Sequence, residues 1–295
     1  MLNEDTYVVA KKLSTSYKDV YQEVIGQDFN NVKLTDIDEK WAISFEGIDA
    51  TGKQTLSSIL KEYLNIEFKK ELAVKINIPD YDLPSGQEIK KLLMEGQCSP
   101  ALLQLKFALN RKEVQNRLIL ENKLLKLAGN PEKNVFIFDR WVDSGAIFKI
   151  GQMIYHDIKL NFYSIADIEE SIIEGINKYK QYLIDQLILE HETLQLTKPH
   201  LKILCTTPVD IVEKRLRSRL IESGVPESEV ENHLDSHEKN PDFLYVVQFV
   251  YEYIYSNPKV FFTSNRMFKN FLIIDTNKYT KEECIQQIIE KLEIL

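Results

Sequence analysis

Short apolar runs alternate with longer amphipathic stretches along most of the chain. Five runs have the length of buried strands and lie at 41–45, 71–78, 135–138, 200–205 and 271–275. Between them, apolar residues recur at helical spacing, as Leu56, Ile59, Leu60 and Leu64 do within 53–64. Because strands that alternate with helices build parallel sheets covered on both faces, the pattern predicts an α/β fold.

The longer helices are predicted from their caps and from the residues that break them. Ser99 and Pro100 suit the cap and first position of a helix that runs to about Leu127. The stretch 150–198 is predicted to be mostly helical, with repetition over 167–196 that indicates packing rather than chemistry. Further helices are predicted over 87–94, 208–221, 241–255 and 280–295, and a polar loop over 222–240.

Residues 1–40 precede the first strand and are predicted to form an N-terminal extension of unknown role. Ser14 to Ile25 has the spacing of a short helix, and Asp36 to Lys40 has the composition of a linker. A segment docked on the domain is favoured over a partner-binding arm. Residues 41–295 are predicted to form one domain.

Composition excludes several classes of protein. A net charge of −8 gives no general attraction to nucleic acid or to an anionic membrane, so an anionic ligand needs a local basic site. Cys98, Cys205 and Cys284 lack metal-ligand spacing and fit a reducing compartment. No apolar run reaches membrane-spanning length and no signal-peptide core is evident. An intracellular, cytoplasmic protein is expected.

The strongest chemical signal follows the first strand. Gly47, four further residues, Gly52 and Lys53 have the spacing of a phosphate-binding loop that leads into a helix. Glycines let backbone N–H groups approach an anion, and the helix N-terminus favours negative charge. Gln54 stands where Ser or Thr is usual, and Ala50 where a glycine is common. The alternative, a glycine-rich turn with an accidental lysine, is disfavoured by the flanking strand and helix.

Further candidate residues lie where a parallel sheet places its sites. Asp139 and Arg140 end the third strand, where a carboxylate can hold magnesium and an arginine a phosphate. The alternative is a structural ion pair. Phe107 and Arg111 share one helix face by their spacing of four residues. Lys214, Arg215, Arg217 and Arg219 form a cluster that is either a solvated face or part of a mobile lid over about 215–240.

Six stretches, in order, resemble the thymidylate kinase family of nucleoside monophosphate kinases. They are FEGIDATGKQT at 45–55, IPDYDLPSG at 78–86, LKFALNR at 105–111, FDRWVDSGAIF at 138–148, LTKPHLKILCTTPVDIVEKR at 196–215 and DSHEKNPDFLYVVQFVY at 235–251. The resemblance covers 41–295 and leaves out the first 40 residues. It implies a three-layer α/β/α P-loop kinase fold with a five-stranded parallel sheet and a lid, and a homodimer.

The resemblance also implies residue roles. ATP would be bound by Gly47, Ile48, Asp49, Ala50, Thr51, Gly52, Lys53, Gln54, Thr55 and Arg215, and Mg²⁺ by Asp139 and Asp49. The acceptor dTMP would contact Phe107, Arg111, Arg140, Ser144, Gly145, Phe148 and Tyr81, with Phe107 stacked on the thymine. Lys53, Asp49 and Arg140 would be catalytic. Because Ala50 excludes a catalytic arginine in the loop, Arg215, Arg217 or Arg219 would supply one, with Arg217 and Arg219 favoured.

Four positions depart from the family pattern. Asp80 stands where an arginine usually touches the acceptor phosphate, and a solvated acid there would repel that phosphate by up to about 1 kcal/mol. Asn110 replaces an Asp, His200 replaces an Asp, and Lys149 replaces Gln, Thr or Ser. These departures concern acceptor identity more than ATP binding.

The function expected is a dTMP kinase that converts ATP and dTMP to ADP and dTDP. One alternative is a kinase of another deoxynucleoside monophosphate, and another is a noncatalytic relative that binds nucleotide. A GTPase is a weaker alternative, because Asn277-Lys278 is followed by Thr280 where a guanine-reading motif needs Asp.

Overall fold

The computed structural model describes residues 40–69, 71–95, 100–159, 165–235, 237–261 and 270–294. The helix predicted over Ser14 to Ile25 and the linker before Lys40 lie outside these residues, and so does Cys98. In the described part, the strands are β1 (Trp41–Glu46), β2 (Ala73–Asn77), β3 (Val135–Asp139), β4 (Leu201–Thr206) and β5 (Phe271–Asp275). They form one sheet in the order β2-β3-β1-β4-β5, and each neighbouring pair is parallel.

Helices occupy most of the remaining described chain. They are α1 (Lys53–Glu67), α2 (Pro84–Glu95), α3 (Pro100–Leu127), α4 (Val142–Ile158), α5 (Ile165–Ile188), α6 (Val209–Glu222), α7 (Val230–His233), α8 (Pro241–Ser256), α9 (Pro258–Phe261) and α10 (Lys281–Glu293). A π-helical turn, Leu189–Thr193, continues α5. Helix α2 begins three residues before the predicted start, because proline is tolerated in a first helical turn. None of the helices in this part of the chain combines the length and apolarity needed to cross a membrane.

Alternate residues along the central strands face two separate apolar cores. Ala42 of β1 packs into the core that holds α4, α5 and α8, whereas Ile43 and Phe45 pack against α1 and α10. Residues of β3 alternate in the same way. A sheet buried on both faces has this pattern, so the predicted three-layer α/β/α fold with a five-stranded parallel sheet is confirmed.

The sheet brings the predicted chemical residues to one edge. Phe45 pairs with Asp139 of β3 and with Ile203 of β4, so β1, β3 and β4 end together. The Arg140 N–H then donates to the Phe45 carbonyl at 2.9 Å. The loop after β1 and the Asp139-Arg140 pair after β3 are therefore neighbours, as the rule for carboxyl ends of parallel strands predicts.

Candidate active site

The loop after β1 depends on its two glycines. Gly47 has φ 128°, and a Cβ there would lie 2.4 Å from the carbonyl oxygen of Cys205. Gly52, which caps α1, has φ 88°. Both values lie in the region that favours glycine. Ala50 adopts φ 55° without being glycine, a conformation that costs free energy and is typical of functional loops.

Lys53 is the first residue of α1 and is buried at the base of the loop. Its ammonium group donates to the Ile48 carbonyl, and the Thr51 hydroxyl donates to the same oxygen at 2.8 Å. Burial, together with the charge of Arg140, lowers the pKa of Lys53 to about 8. The ammonium group is thus held inside the loop, where it remains mostly charged at neutral pH.

Arg140 connects the loop to the rest of the site. Its guanidinium donates to the Gly47 carbonyl at 3.0 Å and to the Asp49 carboxylate at 2.7 Å, and it lies 5.0 Å from the ring centre of Phe148. Burial alone would raise the pKa of Asp49, but the charges of Arg140 and Lys53 outweigh it and hold this pKa well below its usual range. Asp49 therefore stays ionised and keeps Arg140 in place.

Two cavities meet at this pair of residues. The loop cavity, of about 730 Å³, lies above the phosphate loop, and the aromatic cavity, of about 440 Å³, lies between α3 and α4. Asp49, Tyr81 and Arg140 line both of them. A molecule in each cavity would therefore meet the other at Arg140.

The loop cavity holds most of the residues predicted to bind ATP and metal. It is lined by Asp49, Ala50, Gly52, Lys53, Gln54, Thr55, Asp139, Arg140, Arg215 and Arg219, among others. Gly47, Ile48 and Thr51 are buried in the loop and do not contribute to its wall. Tyr279 and Lys281, which follow β5, also line this cavity.

Every residue predicted to bind the acceptor lines the aromatic cavity. These residues are Phe107, Arg111, Arg140, Ser144, Gly145, Phe148 and Tyr81. Polar side chains that the sequence did not single out join them, namely Gln104, Gln152, Asp235 and His237. Asp235 and His237 come from the polar loop before α8, where sequence pattern gives no sign of which side chains turn inward.

The three candidate lid arginines differ in position. Arg215 donates to the Ala50 carbonyl at 3.3 Å and to Thr276, and so fastens the phosphate loop to the end of β5. Arg219 lines the loop cavity and donates to Glu238 at 3.0 Å. Arg217 lies outside the lining of both cavities and is paired with Glu231. The structure therefore brings Arg215 and Arg219 to the site and leaves Arg217 apart from it.

Three of the residues that depart from the family pattern have hydrogen-bond or ion-pair partners in the structure. They are Asp80, Asn110 and His200. Asp80 forms an ion pair with Arg117 at 2.7 Å and lines neither cavity. The Asn110 amide accepts from the Asp80 N–H at 3.0 Å and donates to the Asp80 carbonyl, which fixes this turn. His200 accepts the Ala42 N–H. The acid at position 80 is thus held by Arg117 outside the lining of both cavities.

Glu46 is a functional candidate that the sequence analysis missed. It is fully buried and accepts hydrogen bonds from the Trp141 N–H at 3.0 Å and from the Ser144 hydroxyl. Burial, and then the charge of Asp143, raises the pKa of Glu46 to about 7. The sequence feature that could have indicated Glu46 is its position as an acid at the end of an apolar strand. Glu46 supports Ser144, which lines the aromatic cavity.

The carboxylates that could hold a metal are Asp139 and Asp49. Asp139 lies 3.7 Å from the ammonium group of Lys75, and Asp49 contacts Arg140. Within the described ranges, no group of three or more His, Cys, Asp or Glu side chains forms a metal site. Magnesium usually keeps several waters and uses one or two carboxylates together with substrate phosphates. These two carboxylates at the loop cavity fit such a role.

Comparison with known proteins agrees with this geometry. A family model described as thymidylate kinase matches residues 45–162, which include the phosphate loop, α3 and the Asp139-Arg140 pair. Over this region the chain is similar to the thymidylate kinase family.

Individual relatives show how far the likeness extends. A probable thymidylate kinase of Sulfolobus acidocaldarius is 33% identical over 138 residues, which are 46% of this chain and 57% of the relative. A thymidylate kinase of Mesomycoplasma hyopneumoniae is 34% identical over 110 residues, 36% of this chain and 49% of the relative. The chain thus spans about half the length of these curated relatives.

A solved structure supports the fold over a larger part of the chain. The thymidylate kinase of Candida albicans matches with a TM-score of 0.53 and 22% identity, and the match covers 87% of this chain and 92% of that one. At this identity the likeness concerns the fold. It extends the thymidylate kinase fold beyond the region that the family model matches.

Proposed function

We propose that this protein is a dTMP kinase, which transfers the γ-phosphoryl group of ATP to dTMP and releases ADP and dTDP. The observation that carries the proposal is the meeting of two cavities at Asp49 and Arg140. One cavity is lined by Lys53 and residues of the glycine-rich loop, and the other is lined by Phe107 and Arg111, which lie about one helical turn apart on α3. A reaction between two nucleotides needs two such sites with a shared boundary.

The residues present suit phosphoryl transfer. The acceptor is already an anion, so catalysis consists of positioning and charge stabilisation rather than proton abstraction. Lys53 and the loop N–H groups would hold the outer phosphates of ATP, and Arg140 would stabilise charge where donor and acceptor meet. Asp139 and Asp49 would hold Mg²⁺, which when bound neutralises charge on the ATP phosphates.

The aromatic cavity supports a nucleotide base and sugar at the acceptor side. Phe107 would stack on the base and Arg111 would donate a hydrogen bond to it. Phe148, held beside Arg140, would lie near the sugar and disfavour a ribose. The thymidylate kinase of Candida albicans has broad substrate specificity. Since Lys149, Asp235 and His237 add polar groups to the cavity of the present chain, a kinase of another deoxynucleoside monophosphate is the second candidate.

The proposal includes a homodimer inside the cell. Leu102, Leu105 and Leu109 form one face of α3 and are 43%, 44% and 41% exposed, and a face of this kind suits a second copy of the chain. The use of ATP implies an intracellular, cytoplasmic protein. The acceptor is proposed to be a nucleotide rather than nucleic acid, since the net charge of −8 gives no general attraction to polyanions.

The deciding experiment measures ADP release with ATP and Mg²⁺ in the presence of dTMP, dUMP, dCMP, dGMP, dAMP or ribothymidine monophosphate. The proposal predicts a strong preference for dTMP and loss of turnover in Lys53→Met, by at least about 100-fold. Preference for a different acceptor would support the second candidate. Binding of ATP without turnover of any acceptor would favour a noncatalytic relative, and unchanged turnover in Lys53→Met would refute the phosphate-loop assignment.

A further inference from the structure

Arg111 is held by a buried carboxylate that no sequence motif indicated. Its Nε and Nη2 atoms lie 2.5 and 2.6 Å from the two carboxylate oxygens of Glu190, a bidentate geometry. Arg111 is 2% exposed and Glu190 is fully buried. Arg111 also lines the aromatic cavity beside Gly145. The pair therefore lies at the wall of the proposed acceptor site.

Glu190 is itself fixed from several directions. It lies in the π-helical turn Leu189–Thr193, and the Gln186 amide donates to its Oε1 at 2.7 Å. Gln115, one helical turn after Arg111 on α3, accepts the Thr197 N–H at 2.7 Å and donates to the Gln195 carbonyl at 3.0 Å. The segment that carries Glu190 is thus fastened to the helix that carries Arg111. Single π-helical turns occur frequently at functional sites.

Stability alone is a weak reason for this pair. When two charges are buried together, their mutual attraction roughly offsets the solvation free energy that they lose. Apolar residues of similar volume often stabilise a protein equally well. The location of this ion pair at a cavity wall is better explained by the way Glu190 orients the guanidinium of Arg111. Glu190 occupies Nε and Nη2, and Nη1 donates no hydrogen bond within the described part of the protein. The carboxylate thereby selects the edge of Arg111 that remains for a ligand.

We infer that Glu190 is a positioning and specificity residue, which presents Arg111 as a fixed hydrogen-bond donor to the acceptor base. The inference rests on the proposed function. A guanidinium has donors and no acceptor. Thymine and uracil carry a carbonyl oxygen that accepts at ring position 4, whereas cytosine carries an amino group that donates there. A donor that cannot turn away favours the carbonyl and penalises the amino group.

The test compares three variants in the panel of acceptors. Glu190→Gln retains the shape of the side chain and removes its charge, and it should raise KM for dTMP by about 10-fold and lower the preference for dTMP over dCMP by about 10-fold. KM for ATP should stay within about 2-fold of the wild type. Gln186→Met loosens Glu190 without touching Arg111 and should raise KM for dTMP by about 3-fold.

Glu192→Gln is the matched control, because Glu192 lies in the same π-helical turn, is half-exposed and pairs with Lys198. It should leave both KM values unchanged. Calorimetric binding of dTMP to the same variants provides a readout that does not depend on turnover. Thermal melting identifies any variant that does not fold. If Glu190→Gln does not fold, the inference is tested with Gln186→Met instead.

Two results would overturn the inference. One is a folded Glu190→Gln enzyme with wild-type KM and wild-type discrimination. The other is an equal rise in KM for ATP and dTMP, which would indicate a general structural defect. A wild-type protein that neither binds nor phosphorylates any deoxynucleoside monophosphate would refute the proposed function, and with it the inference; the wild-type control therefore distinguishes the two failures.

Discussion

Arg217 and Arg219 of α6 show how position within one helix separates two similar side chains. Residues two positions apart on a helix do not share a face, and here Arg219 lines the loop cavity while Arg217 pairs with Glu231. If Arg219 stabilises charge during transfer, Arg219→Ala should lower kcat by about 100-fold, the loss typical for one such donor. Arg217→Ala should stay within about 2-fold. Steady-state kinetics with ATP and dTMP measure both.

Arg219→Ala and Arg217→Ala change helix propensity and charge by the same amount. Any general effect on α6 should therefore be equal in the two variants. An equal loss in the two variants would contradict the assignment of Arg219. So would a loss confined to Arg217→Ala, which would require the segment over 215–240 to rearrange when nucleotides bind.

At the scale of single residues, the parts of the site that could be predicted are those whose residues lie close together in the sequence. Gly47, Gly52 and Lys53 lie within seven positions, and Asp139-Arg140 ends a strand, so both features are visible in the pattern. Glu190 and the partner of Asp80 were not visible, because each contact joins residues far apart in the chain. The expected repulsion by Asp80 depended on an orientation that Arg117 decides, and no local pattern carries that information.

Secondary elements are cross-linked beneath the site by a buried ion pair. Lys202 of β4 donates to both Asp143 oxygens of α4, at 2.7 and 2.9 Å, and Tyr255 of α8 donates to the same carboxylate at 2.8 Å. Lys202→Met would leave a buried carboxylate without its cation, so it should lower the free energy of unfolding by about 3–5 kcal/mol. Urea denaturation at neutral pH measures the change.

The double variant Lys202→Met with Asp143→Asn is the control for this prediction. It removes both charges, and its loss should be at least about 2 kcal/mol smaller than that of Lys202→Met, because no unpaired charge remains. A double variant that loses as much stability as Lys202→Met, or more, would contradict this account. The elements themselves were predictable from apolar spacing, but this cross-link was not, since Lys202 and Asp143 each look like surface charges in the sequence.

At the scale of the whole molecule, sheet order decides that two cavities share one boundary. The pattern of alternating strands and helices predicted a parallel sheet, but the order β2-β3-β1-β4-β5 follows from packing between distant segments. That order places β3 beside β1, and so Arg140 beside the phosphate loop. The meeting of the cavities is thus a property of topology that residue spacing alone does not contain.

This shared boundary predicts that one molecule can occupy both cavities. A compound in which adenosine and thymidine are joined through a chain of phosphates should bind at least about 100-fold more tightly than dTMP, because the second contact becomes intramolecular. Affinity should pass through a maximum as the phosphate chain is lengthened, since only one length matches the span across Arg140. Phe107→Ala should weaken binding of dTMP and of the linked compound while leaving ATP affinity unchanged. Isothermal titration calorimetry measures all three ligands, and a linked compound no tighter than the better of its two halves would show that the cavities cannot be filled together.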